Sequence, residues 1–386
     1  MTPARTRLAL SAVALMLFVF FTSEVFASGA LLQIEQDLDV SAGAVGSLTS
    51  SYAITAAVAI IPVSLLTSRV PVRVLLPLAV GVLCLSNAVV ALAPSLSWMV
   101  AARCMAAVFH SVVWASGPAV AVWMLPGRTG LATSYVFIGS SLGSLLGAPA
   151  VAAVSAIASW RVAAAGLAVI ATLCAGALAW SLPPGHPENT DLTEARSRVT
   201  QGSVRATSMW CLVVLFVAAA HLTSYTYITE SATRAALPPA LISVVLIGMG
   251  AAGLGGNVLA GRYYDQRPTG AVTVALVVLI VAFLGTALPV PWFFVTTAVW
   301  AAGYSALTVM MQASVLRDAP EWGRQASSWY ILAFQLGIAA GSALGGATAI
   351  TSHPYTSAAL TVGAVGTFGL VASITSQRRA FSRTGT

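Results

Sequence analysis

Apolar runs long enough to cross a bilayer recur along this chain, and they constrain the fold more than any other feature. A helix needs about 20 consecutive apolar residues to cross the hydrocarbon core. Such runs lie near residues 8–32, 44–66, 74–93, 98–123, 132–156 and 162–182. A second set lies near 209–229, 240–261, 270–289, 292–316, 325–350 and 357–376. Composition agrees: 58% of the 386 residues are hydrophobic and 8% are charged, where a soluble domain is about 25% charged. A surface this apolar belongs in lipid. Backbone groups in lipid must pair within their own segment, which selects helices. The period-2 alternation of a membrane barrel does not occur in the sequence. The chain therefore reads as an all-α polytopic membrane protein with twelve transmembrane helices.

The basic residues set the expected orientation. All 18 are arginine. With the N-terminus inside, 15 of them fall on inner ends and loops, against Arg161 and Arg234 outside and Arg103 within a span. The positive-inside rule then predicts that both termini are cytoplasmic. The net charge of +7 follows from this asymmetry. It calls for no nucleic acid partner, because no basic stripe with interleaved aromatics is present. The opening MTPARTRLALSAVALMLFVFF has the look of a signal peptide, but eleven further spans favour a retained first helix. The four cysteines fall in apolar spans without CxxC spacing, so they read as small core residues rather than a metal site or a disulfide framework.

The longest polar stretch, residues 183–208, separates six spans from six. The expected organisation is an N-terminal half over 1–182, a cytoplasmic linker over 183–208 and a C-terminal half over 209–386. The halves echo each other. The fifth span carries Gly139, Gly143 and Gly147, and the eleventh carries Gly337, Gly341 and Gly345, at a constant offset. Steps of four keep the glycines on one helix face, where another helix can approach closely. Generic helix packing explains either series alone. The matched pair points to an internal repeat, the mark of a secondary transporter with its site between pseudo-symmetric six-helix halves. Pro149 lacks a backbone donor and could bend the fifth helix.

Glu24, in FFTSEVFASGA, is the one acidic residue well inside a span. A charge at a helix centre costs roughly 2.5–3.5 kcal/mol on insertion scales. It is tolerated if it faces a wet cavity, is paired or is protonated. A group that alternates among these states can carry a proton or hold a substrate cation; the alternative is a structural ion pair. The candidate partner is Arg103, because at 1.5 Å rise per residue the two lie at matching depth. His110 and Trp114 share the Arg103 stripe of the fourth span. His221 and Tyr225 are four apart in the seventh span, with Tyr227 nearby, and Trp300 and Tyr304 are four apart in the tenth. An imidazole titrates near neutrality, although a mid-span histidine can equally be a packing residue. The aromatics suit an apolar ligand, or belong to interfacial belts.

Four segments resemble the major facilitator superfamily, and within it the twelve-span drug:proton antiporters of the bacterial chloramphenicol-resistance and sugar-efflux type. They are residues 22–54, the AARCMAAVFH of 101–110, the glycine-rich fifth helix with SSLGSLLGAPA, and GNVLAGRYYDQRP at 256–268. The chain departs from the pattern at LLTSRVPVR, which keeps Arg69 and Arg73 without an acidic residue, and at Gly-Ala-Pro in place of Gly-Pro. The resemblance implies proton-coupled efflux of a small drug-like compound by alternating access, with a sugar or other metabolite as the alternative cargo. It implies that helices one, four, seven and ten line the cavity. It implies that Arg69, Arg262, Asp265 and Arg267 serve an inner gate, with Asp265 facing the positive N-terminus of the fifth helix near 130–133. It also implies a monomer in the bacterial plasma membrane, powered by a proton gradient without a cofactor.

Other classes fit less well. GMGAAG at 248–253 matches G-x-G-x-x-G, but it lies inside a span and no acidic residue follows at the required distance. With no lysine, the chain has no P-loop lysine either. A membrane enzyme would need clustered acids, histidines or cysteines at loop ends, and a receptor would need a sensory domain. The sequence offers neither.

Overall fold

The computed structural model describes residues 3–184, 200–225, 238–285 and 292–348. The twelfth run near 357–376, most of the linker, Tyr227 and the surroundings of Gly345 lie outside what is described. Among the described residues, ten segments are long and apolar enough to cross a membrane. The chain divides into two compact units. One comprises Met1–Pro126 with Tyr135–Thr190, the other Gly127–Ser134 with Asp191–Thr386.

In the first unit the helices are α1 (Pro3–Glu24), α2 (Phe26–Leu38), α3 (Ala42–Leu66), α4 (Val72–Leu92), α5 (Leu96–Val108) and α6 (His110–Met124). They continue with α7 (Thr129–Ile157), whose first turns belong to the second unit, and α8 (Trp160–Ser181). The first apolar run is thus two helices, broken at Val25, and the fourth is two helices, broken at Phe109. Neither break has a local sequence signal, since neither position is glycine or proline. At the first break the Ser28 N–H turns to the Val25 carbonyl at 3.1 Å. An uninterrupted helix would direct it to Glu24. By contrast, α7 runs through Pro149 to Ile157.

Ordinary capping chemistry sets the other ends. Ser41 and Ser159 accept from the backbone N–H groups three residues on, each at 3.2 Å, and start α3 and α8. Asp39 closes α2 in the left-handed region at φ 51, where a short polar side chain is tolerated. Arg5 donates to the carbonyls of Trp180 and Ser181 and so caps the end of α8. Asp37 accepts from the Trp160 indole at 3.1 Å and pairs with Arg161, which also donates to the Ala93 carbonyl at 3.1 Å. That clasp joins the ends of α2, α4 and α8. Beneath it Phe26, Ile34, Leu48, Met99 and Trp160 share one core.

The second unit holds α9 (Gln201–Tyr225), α10 (Pro239–Tyr264), α11 (Pro268–Gly285), α12 (Trp292–Asp318) and α13 (Gly323–Thr348). The α9 helix begins ahead of its apolar run, inside the expected linker. Thr200 explains the early start, because its hydroxyl accepts from the Ser203 N–H at 3.1 Å.

Glycine packing repeats in the two units. On α7, a Cβ at Gly139 would collide with the Ala14 carbonyl, and one at Gly143 would lie 3.0 Å from the Phe18 carbonyl oxygen. On α13, a Cβ at Gly337 would collide with the Leu215 carbonyl and one at Gly341 with that of Ala219. The glycines differ by 198 positions and their partners by 201 (215 − 14 and 219 − 18). The first and seventh spans therefore dock on the fifth and eleventh in the same register. Large apolar side chains such as Leu92 (83% exposed) and Ile157 (86%) point away from these cores. Lipid, not water, is the solvent that accommodates them.

Candidate functional site

In the first unit the predicted residues gather at the two helix breaks. Glu24 is the last residue of α1 and is partly exposed. Arg103 on α5 is 2% exposed. Its guanidinium donates to the carbonyls of Ser23 at 2.6 Å, Glu24 at 2.9 Å and Leu48 at 3.4 Å. The depth match places the two residues together, but through the backbone: Arg103 and the Glu24 carboxylate form no ion pair. The guanidinium supplies donors to carbonyls released where α1 ends, which explains how a helix can break in lipid.

Further side chains join this cluster. Arg103 lies 5.1 Å from the centre of the Tyr52 ring. The Tyr52 hydroxyl meets His110 Nδ1 at 3.1 Å. Trp114 lies one turn beyond His110, with ring centres 5.6 Å apart, and Phe21 and Phe137 meet it edge-on. Sequence reasoning missed Tyr52 and Asn87. Asn87 accepts a hydrogen bond from Ser23 Oγ at 3.1 Å, next to Glu24. Their signal was present as a tyrosine and an amide inside apolar runs.

The second unit builds a different cluster. His221 stacks against Tyr304, with ring centres 3.6 Å apart and 5° between planes, and against Tyr225 at 5.3 Å. The Trp300 indole donates to His221 Nδ1 at 3.1 Å. A ring that accepts at Nδ1 and is neutral carries its proton on Nε2. Taking a second proton, on Nδ1, would cost the Trp300 hydrogen bond. His221 is thus held as a neutral partner in an aromatic stack.

Asp265 follows α10 and accepts from the N–H groups of Gly130 at 2.7 Å and Leu131 at 3.0 Å. Both lie in the first turn of α7, where a carboxylate meets the positive end of the helix dipole. Gly130 makes the approach possible, because a Cβ there would lie 2.7 Å from the Tyr264 ring. Ser134 Oγ donates to the Asn257 carbonyl at 2.7 Å one turn along α7. Arg69, Arg262 and Arg267 are exposed. Among the described residues no group of three or more His, Cys, Asp or Glu could hold a metal ion.

Comparison with known proteins agrees with this architecture. The profile of the Major Facilitator Superfamily matches residues 13–342. A chloramphenicol efflux pump of Mycobacterium tuberculosis strain H37Rv is 32% identical over 349 residues, covering 87% of this chain and 84% of that protein. A "Probable sugar efflux transporter" of Helicobacter pylori strain P12 is 26% identical over 333 residues, covering 85% of each. The solved structure of the superfamily transporter FucP in its outward conformation superposes with a TM-score of 0.78 at 11% identity, over 93% of this chain and 97% of that one. This chain belongs to the Major Facilitator Superfamily, and it is an integral membrane transporter, not an enzyme.

Proposed function

We propose that the protein is a proton-coupled exporter of small drug-like molecules, working by alternating access between an N-terminal and a C-terminal half. The observation that carries this reading is the state of Glu24. Arg103 directs its hydrogen bonds to backbone carbonyls, so the only acid well inside a span can gain or lose a proton without breaking a salt bridge. One elementary charge crossing 100 mV supplies about 2.3 kcal/mol. The chloramphenicol pump, at 32% identity, supports chloramphenicol as the first candidate cargo. The H. pylori relatives support a sugar-like cargo as the second reading.

In this scheme both termini are cytoplasmic, as the arginine distribution supports. The Asp265 contact with the start of α7 acts as an inner gate that holds the outward-facing state. Trp114, Tyr225, Trp300 and Tyr304 contact substrate, and His110 and His221 tune the polarity around it. The test is chloramphenicol uptake into inverted membrane vesicles. An imposed proton gradient should drive accumulation in the wild type. Accumulation that persists at full level after the gradient is collapsed would sink the coupling.

A further inference from the structure

The two helix breaks of the first unit share one backbone geometry. Val25, between α1 and α2, has φ −88 and ψ 4. Phe109, between α5 and α6, has φ −92 and ψ −1. Both lie in the sparsely populated bridge region, where functional residues are often found. Neither is glycine or proline, so the surroundings, not the residue type, account for the breaks. One side chain reaches the surroundings of both. Tyr52 on α3 has its ring centre 5.1 Å from the Arg103 guanidinium. Arg103 donates to the Ser23 and Glu24 carbonyls at the first break, and it lies on α5, ahead of the second. The Tyr52 hydroxyl meets Nδ1 of His110, the first residue of α6, at 3.1 Å. Tyr52 thus bridges the second break from one segment to the other, and it reaches the first through Arg103. Tyr52, Arg103 and His110 are all buried, so the linkage is internal to the unit.

We propose that Tyr52 is a positioning residue for transport: acting through Arg103 and His110, it makes the two breaks move as one. A carrier that alternates must re-angle parts of its spans, and element ends are where a chain absorbs such changes. With Tyr52 in place, a shift of α6 against α5 at Phe109 is passed from His110 to the phenol ring and on to Arg103. Arg103 in turn holds the carbonyls where α1 ends. Without the hydroxyl, α6 loses this connection and each break rearranges alone, which slows the cycle. The inference rests on the alternating-access reading above. It concerns the rate of the cycle, not the choice of cargo.

The experiment measures counterflow of radiolabelled chloramphenicol in proteoliposomes of the purified full-length protein, with rates expressed per folded carrier. Counterflow needs no proton gradient, so a failure of proton coupling alone leaves it intact. Tyr52→Phe keeps the ring beside Arg103 and removes the hydroxyl. Its maximal rate should fall on the order of tenfold, the worth of one hydrogen bond, with the equilibrium Kd for chloramphenicol unchanged. His110→Phe breaks the same contact from the other side, and the double variant should be no slower than the slower single one. A side chain that only packs would lower the thermal midpoint and leave the rate per folded carrier alone. An unchanged maximal rate in Tyr52→Phe, a weakened Kd that accounts for the slower transport, or losses that multiply in the double variant overturns the positioning role and leaves the export reading standing. If Tyr52→Phe yields little folded carrier, His110→Phe decides: an unchanged maximal rate there overturns the role. A wild type that carries no chloramphenicol overturns the drug-export reading and the role of Tyr52 with it.

Discussion

The first and seventh spans are packed alike and equipped differently. Ala14 and Phe18 on α1 dock on α7 glycines in the register that Leu215 and Ala219 on α9 use on α13. Carrying that register forward aligns Thr22-Ser23-Glu24 with Thr223-Ser224-Tyr225. Two of the three residues match. The third is a carboxylate beside a helix break in one unit and an aromatic ring in a stack in the other. The lesson is that backbone packing and chemistry are separable here. Close glycine contacts preserve the scaffold in both units, while the side-chain chemistry at the end of the repeated segment differs. The second cluster centres on a neutral imidazole held by Trp300.

The comparison breaks most severely at its shared part. Gly139→Val and Gly337→Val each place a side chain on backbone atoms of the neighbouring helix. Each should cost more than about 3 kcal/mol, at the upper end of overpacking effects, and yield little folded protein by size-exclusion chromatography. A large loss from one variant only would mean the two packings are not equivalent.

Next comes the residue that differs. Glu24→Gln should abolish proton-driven accumulation in inverted vesicles while retaining gradient-independent exchange. Tyr225→Phe should keep the response to the gradient. If Glu24→Gln still accumulates substrate, the charged unit is not the coupling unit.

Arg103→Lys asks what the guanidinium does at the break. A single ammonium cannot serve the carbonyls of Ser23 and Glu24 in the same fork geometry. A lost buried hydrogen bond exposes a penalty of about 1–3 kcal/mol. The variant should lower the thermal midpoint, and Arg103→Ala should lower it further. Equal midpoints for the wild type and both variants would remove Arg103 from the stability of the break.

The smallest effect belongs to Asp265→Asn. The side chain keeps one acceptor, so one of the two α7 N–H groups loses its partner, and the charge–dipole attraction, worth about 0.3–1 kcal/mol, goes with it. Cysteine-accessibility labelling should show a shift of a few-fold or less between conformations, with substrate affinity retained. Lost affinity with unchanged labelling would contradict a gating role.

The helical class and the repeated glycines could be read directly, since length, apolarity and spacing are local quantities. So could Glu24 and Arg103, because charged residues inside apolar runs are conspicuous and helical rise fixes their depth. The way they meet was not legible. The expectation was carboxylate to guanidinium, whereas the contact is carbonyl to guanidinium, at a break that no glycine or proline marks. Tyr52 was passed over because a hydroxyl gains meaning only when His110 is seen 3.1 Å away. His221 read equally as a titrating group or a packing residue, and the sequence could not show that the Trp300 indole donates to its Nδ1.

By itself, then, the amino-acid order determined that the chain must lie in lipid as helices, and where charge would be exceptional. Those outcomes depend on the cost of burying or exposing each residue, which its identity sets. Tertiary structure decided where the first and fourth spans break, which atoms Arg103 satisfies and which nitrogen of His221 accepts a hydrogen bond. Those outcomes depend on backbone groups and on donors some 80 positions away, such as Arg103 from Ser23. Only folding brings such partners within hydrogen-bonding reach.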